Sequence, residues 1–279
     1  MRAGHPQNEG VPALNIIVCI KQVPDTTDVK INPETGTLIR EGVPSIINPF
    51  DTYAIEEGLL LKEKFGGKVT VISMGPPQAV EALKEAVAMG ADEAILLSDR
   101  AFAGSDTWAT AYTLSRAIKR LGEFDVILCG KQAIDGDTGQ VGPGIARQLS
   151  ISQLTYVFKI RELNPDARTV LVERLLEEGR EVVQAPLPAL LTVVKDINQP
   201  RYPTFLGIRR ATKMQIPVWT AADLADCDSG KCGLDGSPTR VVRVFSPPAR
   251  EGKVELMQAD TAEQVAALLV DRLLAEKVI

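Results

Sequence analysis

The segment Gly130–Gly144 carries the residue types best suited to hold a phosphate group. Its sequence, GKQAIDGDTGQVGPG, follows an apolar run and leads into IARQLS, which has helical character. Five glycines, the Thr138 hydroxyl and a helix start supply backbone N–H groups and a favourable dipole for an anion. The segment therefore predicts a nucleotide site, and an ordinary strand-to-helix loop is the alternative interpretation.

The spacing within this segment excludes the two most familiar nucleotide motifs. It contains neither GxGxxG nor the GxxxxGK[ST] of a P-loop. Asp135 and Asp137 leave a divalent metal site as an alternative, but two loop carboxylates without further clustered acids are weak ligands. We expect no metal here.

Few other side chains could perform chemistry unaided. The single histidine, His5, lies in MRAGHPQNEG, which we expect to be a flexible N-terminus spanning residues 1–13. Histidine catalysis is thereby excluded, so redox chemistry must come from a cofactor, a partner chain, or Asp, Lys and Cys side chains. The four cysteines form no CxxC motif, and we expect four reduced thiols: Cys19, Cys129, Cys227 and Cys232.

Composition excludes several classes of protein. The 279 residues are 45% hydrophobic and 24% charged, as in folded proteins. A net charge of -5 and 5% aromatic residues argue against nucleic-acid binding. No apolar stretch approaches the ~20 residues of a membrane span, and no signal peptide is evident. We expect a cytoplasmic protein without membrane insertion.

The elements that must position the glycine-rich segment alternate between strand and helix. Apolar strands are predicted at 14–23, 69–75, 93–99 and 124–130, with amphipathic helices between them. The first helix begins at Asn48 as cap and Pro49, and ends at Gly66. This alternation predicts an α/β fold, a doubly wound and mostly parallel Rossmann-like sheet with helices on both faces. Ligands bind beyond the carboxyl ends of such strands. Three segments are expected to lie there: Cys19–Lys21, Ser73–Pro76 and Gly130–Gly144.

The second half of the chain has a different character. INPETGTLIREGV, at 31–43, predicts a hairpin or loop, and the segments after Gln153 predict added antiparallel strands. Among these, Thr169–Glu178 and Arg180–Gln184 form a hairpin. From Asp196 to 260 little regular pattern is present, which favours an extended arm on another subunit. A last helix, 261–277, starts with the capping pair Thr261 and Gln264. The expected domains are thus 14–198 and an arm, 199–279.

The run PRYPTFLGIRRATKM, at 200–214, is basic and contains no acidic residue. A solvated basic loop is one interpretation. The other is a docking surface that presents an apolar tip rimmed by charge. Its candidate residues are Arg201, Tyr202, Phe205, Leu206, Arg209, Arg210 and Lys213.

Four stretches together resemble one family. They are VCIKQVPDT, INPFDTYAIEE, GKQAIDGDTGQVGPGIA and LPALLTVVKDINQPRYPTFLGIRRATK. With them the chain resembles the β subunit of electron transfer flavoproteins from about Asn15 to Ile279. The resemblance implies a heterodimer with an α subunit, an adenine-nucleotide-binding α/β domain, and an arm that clasps the α subunit.

The resemblance also implies site residues. The basic run corresponds to the family's recognition loop, in which Phe205 stands at an anchor position that is Leu in the best-known members. The adenine end of the nucleotide would lie near Cys19, Asn48 and Met74, and its pyrophosphate on the backbone from Asp137 to Gly142. The full set of cofactor-binding residues is Cys19, Lys21, Asn48, Pro49, Phe50, Asp51, Met74, Gly75, Gly130, Lys131, Gln132, Ala133, Ile134, Asp135, Gly136, Asp137, Thr138, Gly139, Gln140, Val141, Gly142 and Pro143.

Two types exist within this family. In one, the β subunit holds structural AMP, and the α-subunit FAD carries electrons from acyl-CoA dehydrogenases to a quinone oxidoreductase. In the other, the β subunit holds FAD that accepts a hydride from NADH. Its two electrons then go to a high-potential acceptor through the α-subunit FAD and to ferredoxin or flavodoxin. The small residues around Gly136 and Val141–Pro143 resemble the second, bifurcating type, since they leave room for FAD. NADH oxidation would then need the α subunit and partners.

A hypothesis from another class is a self-contained nucleotide sensor, such as a stress-type ATP-binding protein with a similar sheet. The extended arm and the LPALLTVVKDINQPRYP segment disfavour it, because such a sensor has no need of a clasp.

Overall fold

The computed structural model describes residues 13–25, 44–224, 226–242, 252 and 254–279. The hairpin or loop predicted at 31–43, and the N-terminal segment with His5, lie outside the described residues. The chain divides into two compact units, Met1–Arg243 and Val244–Ile279.

Eleven strands and six α-helices make up the regular structure of the described residues. The strands are β1 (Leu14–Ile20), β2 (Gln22–Pro24), β3 (Ser45–Ile47), β4 (Gly67–Met74), β5 (Glu93–Leu97), β6 (Val126–Gly130), β7 (Ser152–Asn164), β8 (Thr169–Leu176), β9 (Gly179–Pro186), β10 (Ala189–Val193) and β11 (Val218–Trp219). The helices are α1 (Pro49–Phe65), α2 (Val80–Met89), α3 (Thr107–Leu121), α4 (Val141–Leu149), α5 (Phe205–Lys213) and α6 (Ala262–Ala275).

Nine of the strands form one sheet in the order β11-β5-β4-β1-β6-β10-β7-β8-β9. All pairs from β11 to β7 are parallel, and only β8 and β9 are antiparallel to their neighbours. The chain leaves β1 toward β4 and later returns to β6 on the other side. The gap between β1 and β6 is therefore the topological switch point, where ligands bind in this fold class.

Helices cover both faces of the sheet, and each face has its own core. Ile16, Val18 and Ile20 of β1 pack with α1 and α2 on one face. Ile17 and Cys19, which alternate with them, pack with α3 and α4 on the other. The doubly wound, mostly parallel fold predicted from the sequence is thus confirmed.

Two strand predictions differ from the structure. The predicted strand 14–23 breaks at Lys21, because the Lys21 N–H donates to the Asp51 carboxylate at 2.7 Å instead of to a neighbouring strand. The chain then turns into β2, which pairs antiparallel with β3. The segment containing β10 was predicted as antiparallel, but β10 is parallel to both β6 and β7 and is buried throughout. The predicted hairpin of β8 and β9 is confirmed, with Leu176 opposite Gly179.

The region after Asp196 is more regular than its sequence indicated. Residues 205–213 form α5, which packs on α2, and Val218–Trp219 adds β11 beside β5 at the sheet edge. The boundary expected after residue 198 therefore falls inside the larger unit. In the smaller unit, α6 begins as predicted, with the Thr261 hydroxyl accepting from the Gln264 N–H at 3.3 Å. None of the described helices is both long and apolar enough to cross a membrane.

Candidate functional site

The carboxylate of Asp51 ties together the two strands that flank the switch point. Its Oδ2 accepts the Lys21 N–H at 2.7 Å, and its Oδ1 accepts the Gly130 N–H at 3.1 Å. Lys21 directly follows β1, and Gly130 ends β6. Asp51 is in the first turn of α1 and is buried. One side chain thus fixes the positions of both strand ends relative to a helix start.

Burial changes the acidity of this carboxyl group. Loss of hydration raises the pKa of Asp51 from 3.8 to about 7, although hydrogen bonds from Asn48, Lys21 and Gly130 lower it. Folding therefore favours the protonated form of this carboxyl group.

Asn48 joins the start of α1 to the glycine-rich segment. It occupies the N-cap position of α1, but its side chain makes no capping bond. Instead, Nδ2 donates to the Gln132 carbonyl at 2.9 Å, and Oδ1 accepts the Ile134 N–H at 3.1 Å. Pro49 has no N–H, and the Asp51 N–H donates to the Asn48 carbonyl at 2.8 Å, so the Asn48 side chain is free for these two bonds. Asn48 therefore holds the glycine-rich segment onto the start of α1.

Charged groups hold the same segment at a second point. Lys21 Nζ lies 2.6 Å and 2.8 Å from the two carboxylate oxygens of Asp135. The Gln132 amide donates to Asp137 Oδ1. Both carboxylates that raised the metal alternative are thus held by side chains of this chain. Nowhere in the described part of the chain do three metal-ligating side chains gather.

The glycines of the segment have three different surroundings. Gly139 has a φ of 63°, and neighbouring Asp137 has 54°, so the chain twice enters the left-handed region. At Gly130 a Cβ would collide with Asp51 and with the Phe50 backbone. At Gly136 a Cβ would meet nothing within 4 Å, so this position borders open space.

The segment ends in the N-terminus of α4, as predicted. The first N–H groups of a helix have no acceptor within it, so those of Val141 and Gly142 are available to an anion, whereas Pro143 has none. The Gln140 side chain accepts from Thr107, at the start of α3, at 2.9 Å. At Gly142 the lack of a side chain is explained by packing within the chain, because a Cβ there would lie 2.7 Å from Thr192 Cγ2.

Lys131, in the glycine-rich segment, lies near two aromatic rings. Lys131 Nζ lies 5.2 Å from the centroid of the Phe50 ring and 5.7 Å from that of Tyr156. The backbone N–H of Lys131 donates to the Val193 carbonyl, which joins the segment to β10. Tyr156 was not predicted, since it lies in β7 and reaches the segment only through the sheet order.

The carboxyl end of β4 forms the third edge predicted for the crevice. Met74 ends the strand, and the Gly75 N–H donates to the Leu97 carbonyl at 3.0 Å. Ser73 is fully buried beside them, and its Oγ has no hydrogen-bond partner among the described residues. Cys19 lies opposite Cys129 across the β1–β6 pair, so it is within the same strand layer.

The predicted docking residues separate into two groups. Arg201 is held within the chain, where Nε and Nη2 donate to Glu56 at 2.8 and 2.9 Å and Nη1 donates to Glu63 at 2.6 Å. These two carboxylates raise the pKa of the Arg201 guanidinium above its ordinary value. Arg210 donates to the Ala91 carbonyl. Both arginines therefore contribute to holding the basic run on this chain.

The other docking residues are exposed on α5. Gly207 lies so close to the Ala88 carbonyl that a Cβ would collide with it, and Ala211 is buried. This close approach fixes the inward face of α5. Phe205 is 80% exposed and Leu206 71%, with Tyr202 at 91% just before the helix. Arg209 and Lys213 are also exposed. The apolar tip rimmed by charge is thus displayed on a helix, where a loop was predicted.

Glu56, Glu57 and Asn198 were missed by sequence reasoning. Asn198 Nδ2 donates to Glu57 Oε2 at 2.9 Å and to the Tyr53 carbonyl at 3.0 Å. Burial raises the pKa of Glu57. An acidic pair among the apolar residues of α1 was the available signal, because buried carboxylates need partners.

The doubly wound sheet and a glycine-rich segment that leads into a helix at its switch point define an α/β protein of the nucleotide-binding class. A family model, the electron transfer flavoprotein domain, matches residues 35–224. The chain belongs to the electron transfer flavoprotein family and groups with its β subunits.

Relatives align over nearly their full lengths. An electron transfer flavoprotein subunit beta of Thermoanaerobacterium thermosaccharolyticum is 55% identical over 267 residues, 95% of this chain and 100% of the relative. The caffeyl-CoA reductase-Etf complex subunit CarD of Acetobacterium woodii is 49% identical, with the same coverage. Protein FixA of Bradyrhizobium diazoefficiens is 49% identical over 91% of this chain and 89% of its own.

Proposed function

We propose that the chain is the β subunit of a heterodimeric electron transfer flavoprotein that binds FAD in the switch-point crevice and takes part in NADH-driven electron bifurcation. When bound, FAD supplies hydride acceptance from NADH and single-electron delivery toward a high-potential and a low-potential acceptor. The observation that carries the proposal is the open space at Gly136 in a segment otherwise held tightly by protein contacts.

The donor set suits a dinucleotide. The N–H groups at the start of α4 and the Lys131 ammonium offer positive potential to a pyrophosphate. Asn48 and Lys21 hold the segment at Ile134 and Asp135, so the chain on either side of Gly136 keeps its place when a ligand enters. Gly136 is exposed and a Cβ there would meet no atom within 4 Å, so the chain places no side chain in the way of a larger nucleotide. This favours FAD over the AMP of the one-flavin type.

The residues of this chain bind and orient and carry out no acid–base step on the substrate. The buried Asp51 carboxyl group positions the ends of β1 and β6 by accepting the Lys21 and Gly130 N–H groups. The relative named as part of a caffeyl-CoA reductase complex supports a role with a CoA-thioester reductase or dehydrogenase.

Exposed residues of α5 are the surface for that partner. Phe205 and Leu206 supply the apolar centre, and Arg209 and Lys213 the charged rim. Because Gly207 fixes α5 on α2, the apolar tip is displayed in one orientation before any partner arrives.

The direct test is a count of the nucleotides released when the αβ complex is denatured. Two FAD and no AMP per heterodimer are expected, and NADH added without oxygen should bleach the flavin absorbance. One FAD and one AMP would refute the bifurcating role and leave a one-flavin electron shuttle.

A substitution at Gly136 locates the β-subunit flavin. Gly136→Leu should reduce the count from two FAD to one, because the side chain fills the space that the proposal assigns to the cofactor. Gly252→Leu adds the same side chain at a glycine outside the cofactor-binding set, where a Cβ also meets no atom within 4 Å, and this matched control should keep both. Unchanged thermal unfolding of the apoprotein would show that Gly136→Leu folds. Retention of two FAD by that variant would contradict the assignment.

A further inference from the structure

A pair of cysteines lies outside the nucleotide crevice, on the segment that follows β11. Cys227 Sγ and Cys232 Sγ are 3.4 Å apart, which is in van der Waals contact or closer. A disulfide bond requires about 2.0 Å between the sulfurs. The two thiols therefore need only a small relative movement to bond, and the five-residue separation already brings them together.

Local structure holds this contact in place. The short 3₁₀ turn Ser229–Lys231 lies between the cysteines, and the Cys232 N–H donates to the Ser229 carbonyl at 3.2 Å. The Asp228 N–H donates to the Tyr112 hydroxyl of α3 at 2.9 Å, and the Gly233 N–H to Ser105 Oγ at 3.0 Å. Bonds to α3 and to the residue Ser105 before it thus hold the chain on both sides of the two sulfurs.

The two sulfurs differ in their access to solvent. Cys232 is 2% exposed, and the Thr113 hydroxyl lies 3.6 Å from its Sγ, whereas Cys227 is only half-buried. Cys227 is therefore the sulfur that a reagent reaches first, and Cys232 is the thiol that can attack it afterwards. This is the arrangement of a reactive and a resolving cysteine.

We propose that Cys227 and Cys232 form a reversible intramolecular disulfide by exchange with a low-molecular-weight disulfide such as oxidised glutathione. The Cys227 thiolate attacks one sulfur of the reagent and releases its other half as a thiol, which gives a mixed disulfide. The Cys232 thiolate then attacks the Cys227 sulfur and expels the second thiol. The protein loses two S–H bonds and gains one S–S bond, while the reagent is reduced to two thiols.

The charges around Cys227 set the speed of the first step. Burial and the hydrogen bond with Cys232 raise the pKa of Cys227 to about 12, and Asp228 acts in the same direction. Arg116 of α3, which stacks on Tyr112, lowers it, and Lys231 also faces that ring. The thiolate is scarce at neutral pH, so exchange should be slow there and accelerate about tenfold per pH unit.

The chain contains its own control pair. Cys19 and Cys129 face each other across β1 and β6, and both are buried in the sheet. A hydrogen bond with Cys19, together with burial, raises the pKa of Cys129. With no exposed member, this pair should remain reduced under conditions in which Cys227 and Cys232 are oxidised.

The test treats the full chain in its αβ complex with oxidised glutathione at mildly alkaline pH, then alkylates the free thiols in denaturant. Peptide mass spectrometry should find two alkylated cysteines, Cys19 and Cys129, and a peptide containing both others that has lost two hydrogens. A reductant should restore all four thiols. Four alkylated cysteines, or a bond involving Cys19 or Cys129, would overturn the proposal.

Two single variants test the order of attack. Cys232→Ser should trap a stable glutathione adduct on Cys227, because the resolving thiol is gone. Cys227→Ser should give neither adduct nor disulfide, since Cys232 is buried. An adduct on Cys232 in that variant would contradict the assigned roles. The result with the unaltered chain stands independently of whether either variant folds.

Discussion

The Gly130 N–H donates to Asp51 Oδ1 across 3.1 Å, and this bond joins the end of β6 to the start of α1. Asp51 also accepts from Lys21 after β1, so a single buried carboxyl group joins both strand ends, next to the last paired residues Cys19 and Cys129, to the start of α1. The conformation of the chain at the switch point therefore depends on α1 as well as on the sheet.

Gly130→Ala should destabilise the protein by about 2 kcal/mol, because a Cβ collides with Asp51 and the Phe50 backbone. Chemical denaturation measures the free energy of unfolding. Gly136→Ala is the matched control in the same segment, and it should change stability by less than about 0.5 kcal/mol because its Cβ meets no atom within 4 Å. Equal effects of the two substitutions would contradict the packing described for Gly130.

Stability should fall as pH rises from about 4 toward 7, through the titration of Asp51. Burial raises its pKa in the folded state from 3.8 to about 7, so folding favours the protonated form. The stabilisation is fully present below the unfolded pKa and is lost as pH rises through the folded one. The slope is at most about 1.4 kcal/mol per pH unit. Asp51→Asn should remove this contribution, and an unchanged difference between wild type and variant across the window would refute it.

Arg201→Gln should destabilise the protein by about 3 kcal/mol. Glu56 is only 4% exposed, and the substitution leaves its carboxylate without the guanidinium that contacts both oxygens. Lys84→Gln breaks the exposed pair with Glu81 and should cost less than about 0.5 kcal/mol. Thermal unfolding compares the two variants, and similar midpoints would show that the Arg201–Glu56 pair contributes no more than a surface pair.

Lys21→Gln should weaken retention of the bound nucleotide by about fivefold, since an ion pair to Asp135 is worth about 1 kcal/mol at most. Lys68→Gln is the control. It removes a similarly exposed lysine at the start of β4, which pairs with Glu93, and should leave nucleotide retention unchanged. Equilibrium dialysis of the released nucleotide gives both constants. A weaker affinity in both variants would point to a general charge effect.

Phe205→Ser should slow electron exchange with a partner dehydrogenase about tenfold or more without changing the unfolding midpoint, because this ring is exposed. Gly207→Val should instead lower the unfolding midpoint, since any side chain there collides with the Ala88 carbonyl. Stopped-flow reduction and thermal unfolding are the two readouts. A lowered midpoint for Phe205→Ser would place this residue in the core instead of the docking surface.

Local patterns were sufficient to predict the parallel sheet and the position of the glycine-rich segment. A series of short apolar runs such as 124–130, separated by helices with caps, is the pattern of a parallel α/β sheet. Asn48 was placed correctly at the start of α1, but sequence could not show that its side chain bonds to Gln132 and Ile134, 84 and 86 residues away. Such partners are determined by strand order.

The basic run shows a second kind of limit. The lack of a regular pattern after Asp196 predicted a loop, yet residues 205–213 are helical, and Gly207 and Ala211 need little space against α2. Small residues carry a weak hydrophobic signal even where they make the closest helix contact. Arg201 was likewise assigned to the docking surface, because nothing in the sequence near it indicated that it pairs with Glu56, 145 residues away.

The two faces of α5 differ in the change of side-chain size that they tolerate. Its inward positions, Gly207 and Ala211, tolerate almost no change in size, whereas Phe205, Leu206 and Arg209 touch little of their own chain. Substitution of the outward side chains should therefore change the proposed docking surface while the packing of α5 on α2 stays intact. The same division makes these three outward positions suitable for a library that varies partner specificity without loss of the fold.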